Sequence, residues 1–143
     1  MNKTRMPRHS LTDAQWELIA DLFPVGNFKT GRRPRDRREI LNAILWVLRT
    51  GARWPDVPTE YGPWSTACNL FDAWTKDGTF DAMLQRLRGL AICHDGLADQ
   101  LWCIVGWLKE SRRIMTRFDK TAMNFGGMVK LAFIHRYLRL CAP

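Results

Sequence analysis

No stretch of the sequence holds the roughly 18 uninterrupted apolar residues that would span a bilayer, so a membrane-spanning role is not expected. The stretch Met1–Ser10 is basic and no apolar signal region follows it, which points to the cytosol as the working compartment. Cys68, Cys93, Cys103 and Cys141 form no CxxC pair, and His9, His94 and His135 do not complete a zinc pattern. Only the adjacent Cys93 and His94 offer two ligands together, which is a poor site, so reduced structural thiols are the expectation. There is no H-E-x-x-H, no Gly-rich phosphate loop and no nucleophile-base-acid constellation. Carboxylates are scarce, 14 against 22 Lys and Arg, and they fall mostly at helix caps or first turns. No two-residue alternation occurs before residue 95, which argues against a sheet there. Internal repeats and low-complexity tracts are also missing.

What remains is ample material for a core and an excess of positive charge. Hydrophobic residues make up 46% and charged residues 25%, with seven Trp and seven Phe, a globular composition. The net charge of +8 implies a polyanionic partner. Nucleic acid is the first candidate and an anionic membrane surface the second. Charge alone does not choose between them.

Residues 1–9 read as a basic arm. Thr12-Asp13-Ala14-Gln15 is a capping box, with Leu11 and Trp16 in staple positions. Trp16, Ile19, Leu22 and Phe23 then follow at helical spacing until Pro24. A Gly- and Arg-rich loop covers 25–35. Asp36 with Glu39 signals a second helix, lined by Ile40, Leu41, Ile44, Leu45 and Leu48 and stopped by Gly51. Trp54–Pro58 is a rigid turn. Ser65 is expected to cap a third helix with Ala67, Leu70, Phe71 and Trp74 inward. Thr79 is expected to cap a fourth, with Phe80, Met83, Leu84, Leu87 and Leu90 inward. Residues 101–108 are ambiguous between a strand and a buried helix. A last helix is expected over 121–140, weakened at Gly126 and Gly127 by about 1 kcal/mol each relative to alanine. The fold class is all-α: a small helical domain with a helix-turn-helix-like pair, followed by a helical C-terminal remnant. The divisions are 1–9, 10–94 and 95–143, and residues 10–92 are expected to fold alone.

Two features bear on function. The run Lys29, Arg32, Arg33, Arg35, Arg37 and Arg38 lies directly before a helix, whose N-terminus also favours phosphate. A charge run is usually a solvated loop, but this setting tips the reading toward phosphate binding through Arg32, Arg33, Arg35 and Arg38. The outer face of helix three shows Thr66, Asn69, Ala73 and Lys76. Asn can pair with adenine and Lys can reach guanine or phosphate, so the face can read a major groove. An ordinary polar face looks the same by spacing. The connection between helices two and three, about thirteen residues, exceeds the usual turn. Trp46, Trp54, Trp64 and Trp74 share the apolar spacing and read as core rather than as a base-stacking platform.

Several longer motifs carry a resemblance. Leu11–Trp16, Gly31–Pro34, Ile44–Trp54, Tyr61–Thr66 and Phe71–Trp74 with Gly78 resemble, in order, the N-terminal domain of transposases of the insertion-sequence-five group. The resemblance spans residues 10–92. It implies an all-helical DNA-binding module ahead of a DDE catalytic domain, and the element's terminal repeats as target. Trp107–Ile114, Arg117–Lys120 and Met128–Ala132 resemble the family's closing segment, which normally follows the third catalytic acid.

Between these blocks the sequence departs from the pattern. Leu101–Ile104 resembles the strand carrying the first catalytic Asp, but Val105 stands in that place. The catalytic Glu belongs seven residues before the lysine matched by Lys109, and Trp102 is there. The region of the second Asp has no counterpart. An in-frame internal deletion is the simplest account. Intact family members would use magnesium, which neither Val105 nor Trp102 can hold, so no cofactor is expected. Three readings follow: a catalytically dead DNA-binding fragment, able to associate with itself or with intact transposase; an active DDE enzyme drawing its acids from Asp95, Asp99, Glu110 or Asp119; or a pseudogene product with exposed apolar surface.

Overall fold

A computed structural model describes residues 10–24, 34–95, 110–116 and 121–142. Among the described residues, six α-helices run in the order α1 (Asp13–Glu17), α2 (Arg37–Thr50), α3 (Trp64–Lys76), α4 (Thr79–Asp95), α5 (Arg112–Thr116) and α6 (Ala122–Cys141). Among the described residues there is no strand, and the fold is all-α. None of these helices is long and apolar enough to cross a membrane. The ambiguous run 101–108, the basic arm 1–9 and most of the arginine loop lie outside the described residues.

The local signals act as their chemistry dictates, with four exceptions. Thr12 Oγ1 accepts from the Gln15 amide while Gln15 Oε1 accepts from the Thr12 amide, closing the capping box of α1. Asp36 caps α2 through the Arg38 amide at 2.9 Å. Glu39 does not complete a second box, because its carboxylate pairs with Arg35 at 3.2 Å. Gly51 ends α2 in the left-handed region at φ 69°. Helix α3 opens one residue before the expected Ser65 cap, with Pro63 at the N-cap and no side-chain bond. Thr79 is likewise not the cap of α4. Asp77 Oδ1 takes both its amide, at 2.9 Å, and its hydroxyl, at 2.6 Å, so Asp77 fills that role. Leu90, expected inward, is exposed near the end of α4.

The thirteen-residue connection between α2 and α3 is not a plain loop. It folds into two 3-10 turns, Trp54–Asp56 and Thr59–Tyr61, the first with Pro near its start. Val57 and Tyr61 are buried and anchor these turns to the core.

The core gathers side chains from both ends of the chain. Ile40, Leu41, Ile44, Leu45 and Leu48 of α2 meet Phe71 and Trp74 of α3 and Phe80, Met83 and Leu87 of α4. Met128, Leu131, Ile134 and Leu138 of α6 join the same cluster, each with no exposed surface. Helix α6 packs mainly along α4 and also touches α2 and α3. Polar ties close the two ends together. Gln15 Nε2 donates to the Ala142 carbonyl at 2.9 Å, satisfying a C-terminal carbonyl of α6. Lys130 pairs with Asp81 across α6 and α4 at 2.7 Å.

Gly127 explains part of this packing. A Cβ there would stand 2.7 Å from Thr75 Oγ1 and 3.1 Å from Phe71 Cζ, so only glycine lets α6 approach α3 this closely. Helix α5 docks at the other side of α2. Arg113 is buried, donates to the Ala52 carbonyl at 3.0 Å and lies over the Trp54 ring at 6.0 Å. A cation suits this place, just past the negative end of α2.

Candidate nucleic-acid interface

Helix α3 is held from behind. Ala67, Phe71 and Trp74 are buried, with Trp74 edge-on to Phe23 at 4.8 Å and to Phe80 at 6.3 Å. Buried side chains at spacings of four and three fix the rotation of the helix about its axis. Asn69, Ala73 and Lys76 therefore project as one exposed row, at i, i+4 and i+7, and Thr66 is half-buried beside them. Lys76 falls in the last turn, where a cation also complements the helix dipole. Trp64 departs from its core assignment. It is 44% exposed at the first position of α3, while Trp74 is buried and Trp46 and Trp54 are partly so.

The arginines separate into groups. Arg32 and Arg33 lie outside the described residues. Arg35 reaches the N-terminal end of α3. Its guanidinium occupies the space a Cβ of Gly62 would need, and Gly62 has φ 91°. The backbone conformation requires glycine, whereas the guanidinium, at the end of a flexible side chain, could shift aside from a Cβ. Sequence reading missed this link, although Gly62-Pro63 at a helix entry was its visible trace.

Arg38 is placed differently from its expected role. It donates to Asp13 Oδ1 and to the Leu11 carbonyl, each at 2.6 Å, and its side chain is only 20% exposed. Beside it, the Leu11 amide donates to the buried Asn42 Oδ1 at 2.9 Å. Arg38 thus fastens the start of α1 to α2, and a phosphate would have to displace Asp13 to reach it. Two facts explain the shift: Arg38 stands on α2 itself rather than in the loop, and the capping turn of α1 brings a carboxylate and a carbonyl to it.

For metal chemistry, the positions that the resemblance assigns to catalytic acids, Trp102 and Val105, lie outside the described residues. An indole and an isopropyl group offer no donor to magnesium. Among the described residues, no three His, Cys, Asp or Glu side chains converge on a cation position.

An exposed polar row on a rigidly packed helix, with an arginine seated at its entry, lies within the block that comparison with known proteins recognises. A family model described as "Putative transposase of IS4/5 family" matches residues 11–84. The chain belongs to this family. A protein of Sinorhizobium fredii (strain NBRC 101917 / NGR234), described as "Uncharacterized protein y4sN", is 39% identical over 75 residues, covering 52% of this chain and 59% of that protein. From Burkholderia cepacia, the "Insertion element IS402 uncharacterized 16.2 kDa protein" is 34% identical over 102 residues, covering 67% of each. The chain thus spans well under two thirds of the first relative's length and two thirds of the second's. No solved structure matches. The family model covers α1 to the middle of α4 and stops short of α5 and α6.

Proposed function

We propose that the chain is a DNA-binding fragment of an insertion-sequence transposase that engages the element's terminal repeats and does not itself cut or join DNA. The observation that carries this reading is the exposed row of Asn69, Ala73 and Lys76 on α3, with Arg35 at that helix's N-terminal end, inside a block of the IS4/5 transposase family. Helices α2 and α3 act as the helix-turn-helix-like pair, their long connection stiffened by the two 3-10 turns. Short side chains on a packed helix are well placed to read base edges, and Asn69 has the amide geometry that matches adenine. Arg32, Arg33 and Arg35 supply mainly phosphate contacts, which position the protein without specifying sequence. Arg38 holds the scaffold for them. The setting is the bacterial cytosol, and association with intact transposase would make the chain a competitor at the element ends.

The proposal of inactivity rests on the donor set. Two-metal phosphoryl transfer needs carboxylates to hold the ions, and Trp102 and Val105 supply none. An internal deletion remains the account of the missing central region. Chain size does not argue for it, since the Burkholderia relative is of similar mass, 16.2 kDa against 16.7 kDa.

Salt titrations on cognate and random duplexes test the reading. Asn69→Ala is expected to cost about 1–3 kcal/mol on the terminal repeat and little on random DNA. Neutralising Arg32 and Arg33 should weaken both and flatten the salt dependence by roughly 0.9 for each phosphate the variant no longer neutralises. Equal weakening of both duplexes by Asn69→Ala would remove α3 as the reading helix. Metal-dependent cleavage of terminal-repeat DNA by the pure protein would overturn the inactivity.

A further inference from the structure

A second basic feature lies outside the block that the family model matches. A cleft forms where the last turn of α2, residues 110–111 and the outer side of α6 meet. Arg49, Glu110, Ser111, His135, Arg136 and Arg139 line it. Among the described residues, three guanidinium groups therefore share this cleft with one carboxylate. Glu110 Oε2 stands 3.8 Å from Arg49 Nη1 and 3.9 Å from Arg139 Nη1. Charge-assisted hydrogen bonds are typically about 2.7–2.9 Å, so one oxygen holds both arginines loosely, and among the described lining residues the arginines outnumber the carboxylate. Arg35 and this cleft lie at opposite ends of α2, whose 14 residues make it roughly 21 Å long. The cleft is thus a separate place from the entry of α3.

We infer that this cleft binds a phosphate group, and that the phosphodiester backbone of DNA is its occupant. The inference rests on the DNA-binding reading above and adds a second contact to it. A tetrahedral oxyanion can take parallel N–H donors from more than one guanidinium, whose rigid fork suits phosphate. The side chains of Arg139 and Glu110 are about half exposed. The cleft is therefore open to a polymer lying across it rather than closed around a small anion. Glu110 tempers the site and competes with the phosphate for the same arginines. Arg49 and Arg139 also occupy the last turns of α2 and α6, where cations stabilise helix ends. That structural role alone would change stability and leave DNA binding untouched.

The experiment uses the full chain, random-sequence duplex DNA and salt titration, with thermal unfolding in inorganic phosphate as a second arm. Glu110→Gln should tighten DNA binding by about two- to fivefold, the scale of one exposed charge pair. Arg49→Gln with Arg139→Gln should lower the slope of log K against log salt by about 0.9 or more. If the double variant folds and the slope stays, the inference fails. If the double variant does not fold, Glu110→Gln decides alone, and unchanged affinity overturns the inference. A wild-type chain that ignores DNA but is stabilised by phosphate in an Arg139-dependent way would keep the phosphate site and sink the DNA reading. A chain that responds to neither would sink both.

Discussion

Helices α2 and α6 share one core but reach it by different means. Helix α2 carries its own instructions: Asp36 caps its start, Gly51 turns its end at φ 69°, and eight of its 14 residues are buried. Helix α6 has a good cap in Thr121, which accepts from the Asn124 amide. It also has two glycines in its second turn, and these work against an isolated helix. What holds α6 is its neighbours. Met128, Leu131, Ile134 and Leu138 are fully buried against α2, α3 and α4. The dependence runs both ways, because Phe71, Met83 and Leu87 would lose their cover without α6. Membership of a family and membership of a core are therefore different properties. The family model stops within α4, while the core continues into α6.

Removing residues after 95 is the strongest way to break this comparison. Each of the four buried α6 side chains stabilises by about 1.5–3 kcal/mol as an upper estimate. Together that is about 6–12 kcal/mol, comparable with the roughly 5–15 kcal/mol of a whole domain. A chain ending at residue 95 is expected to lose cooperative thermal unfolding and to bind hydrophobic dyes. This is the opposite of the independent folding that caps and stripes suggested for residues 10–92. A sharp transition in the truncated chain would show that α6 is an appendage.

The glycine pair sharpens the comparison within a single turn. Nothing lies within 4 Å of a Cβ at position 126, whereas one at 127 meets Thr75 and Phe71. Gly126→Ala should therefore stabilise by about 1 kcal/mol, the helix-propensity gain. Gly127→Ala has the same gain offset by overpacking of about 1–3 kcal/mol, because the Thr75 hydroxyl is bonded to the Phe71 carbonyl at 2.7 Å and has little freedom to move. A net loss of up to about 2 kcal/mol is expected in urea unfolding. Equal effects at the two positions would mean that α6 does not approach α3 as described.

Much of the fold was legible because its signals are local. The capping box at Thr12, the stop at Gly51 and the apolar rows of α2 and α3 each depend on residues within one or two turns. Spacing also placed Asn69, Ala73 and Lys76 on the outer face of α3, because the buried row of Ala67, Phe71 and Trp74 leaves them nowhere else to point. Several departures came from contacts between distant residues, others from competing groups only a few positions away. Arg38 was expected among the phosphate-binding arginines, and spacing could not foresee that α1 would bring Asp13 and the Leu11 carbonyl to it. Gly127 looked like a flaw in a helix until Phe71 and Thr75, more than fifty positions earlier, arrived beside it. Asp77 displaced Thr79 as a cap by a margin of two residues, which periodicity cannot resolve. Arg49, Glu110 and Arg139 were scattered over three segments, and no motif could have assembled them.

The smallest expected effect concerns the tie between α4 and the turn after α1. Arg86 donates to Asp21 and also to the Leu18 carbonyl. The guanidinium of Arg86 holds the Asp21 carboxyl below its ordinary range, chiefly through this hydrogen bond. A carboxylate whose folded-state pKa is depressed stabilises the fold at every pH above its unfolded value, near 3.8. That contribution disappears as pH falls through the lowered folded value. Asp21→Asn should therefore lower the Tm slightly and by a constant amount from pH 5 to pH 7. The difference from wild type should close below about pH 4, as the wild-type carboxyl itself takes up a proton. Both partners are well exposed, so solvent and salt screen the pair and the shift should shrink further at high ionic strength. Parallel Tm measurements of the two proteins across pH and salt check this, and a Tm difference that widens on acidification would show that Asp21 is not held by Arg86. In contrast to the loss of α6, this change should leave the core and the α3 face untouched, since it loosens only the seam between α4 and the 3-10 turn Ala20–Leu22.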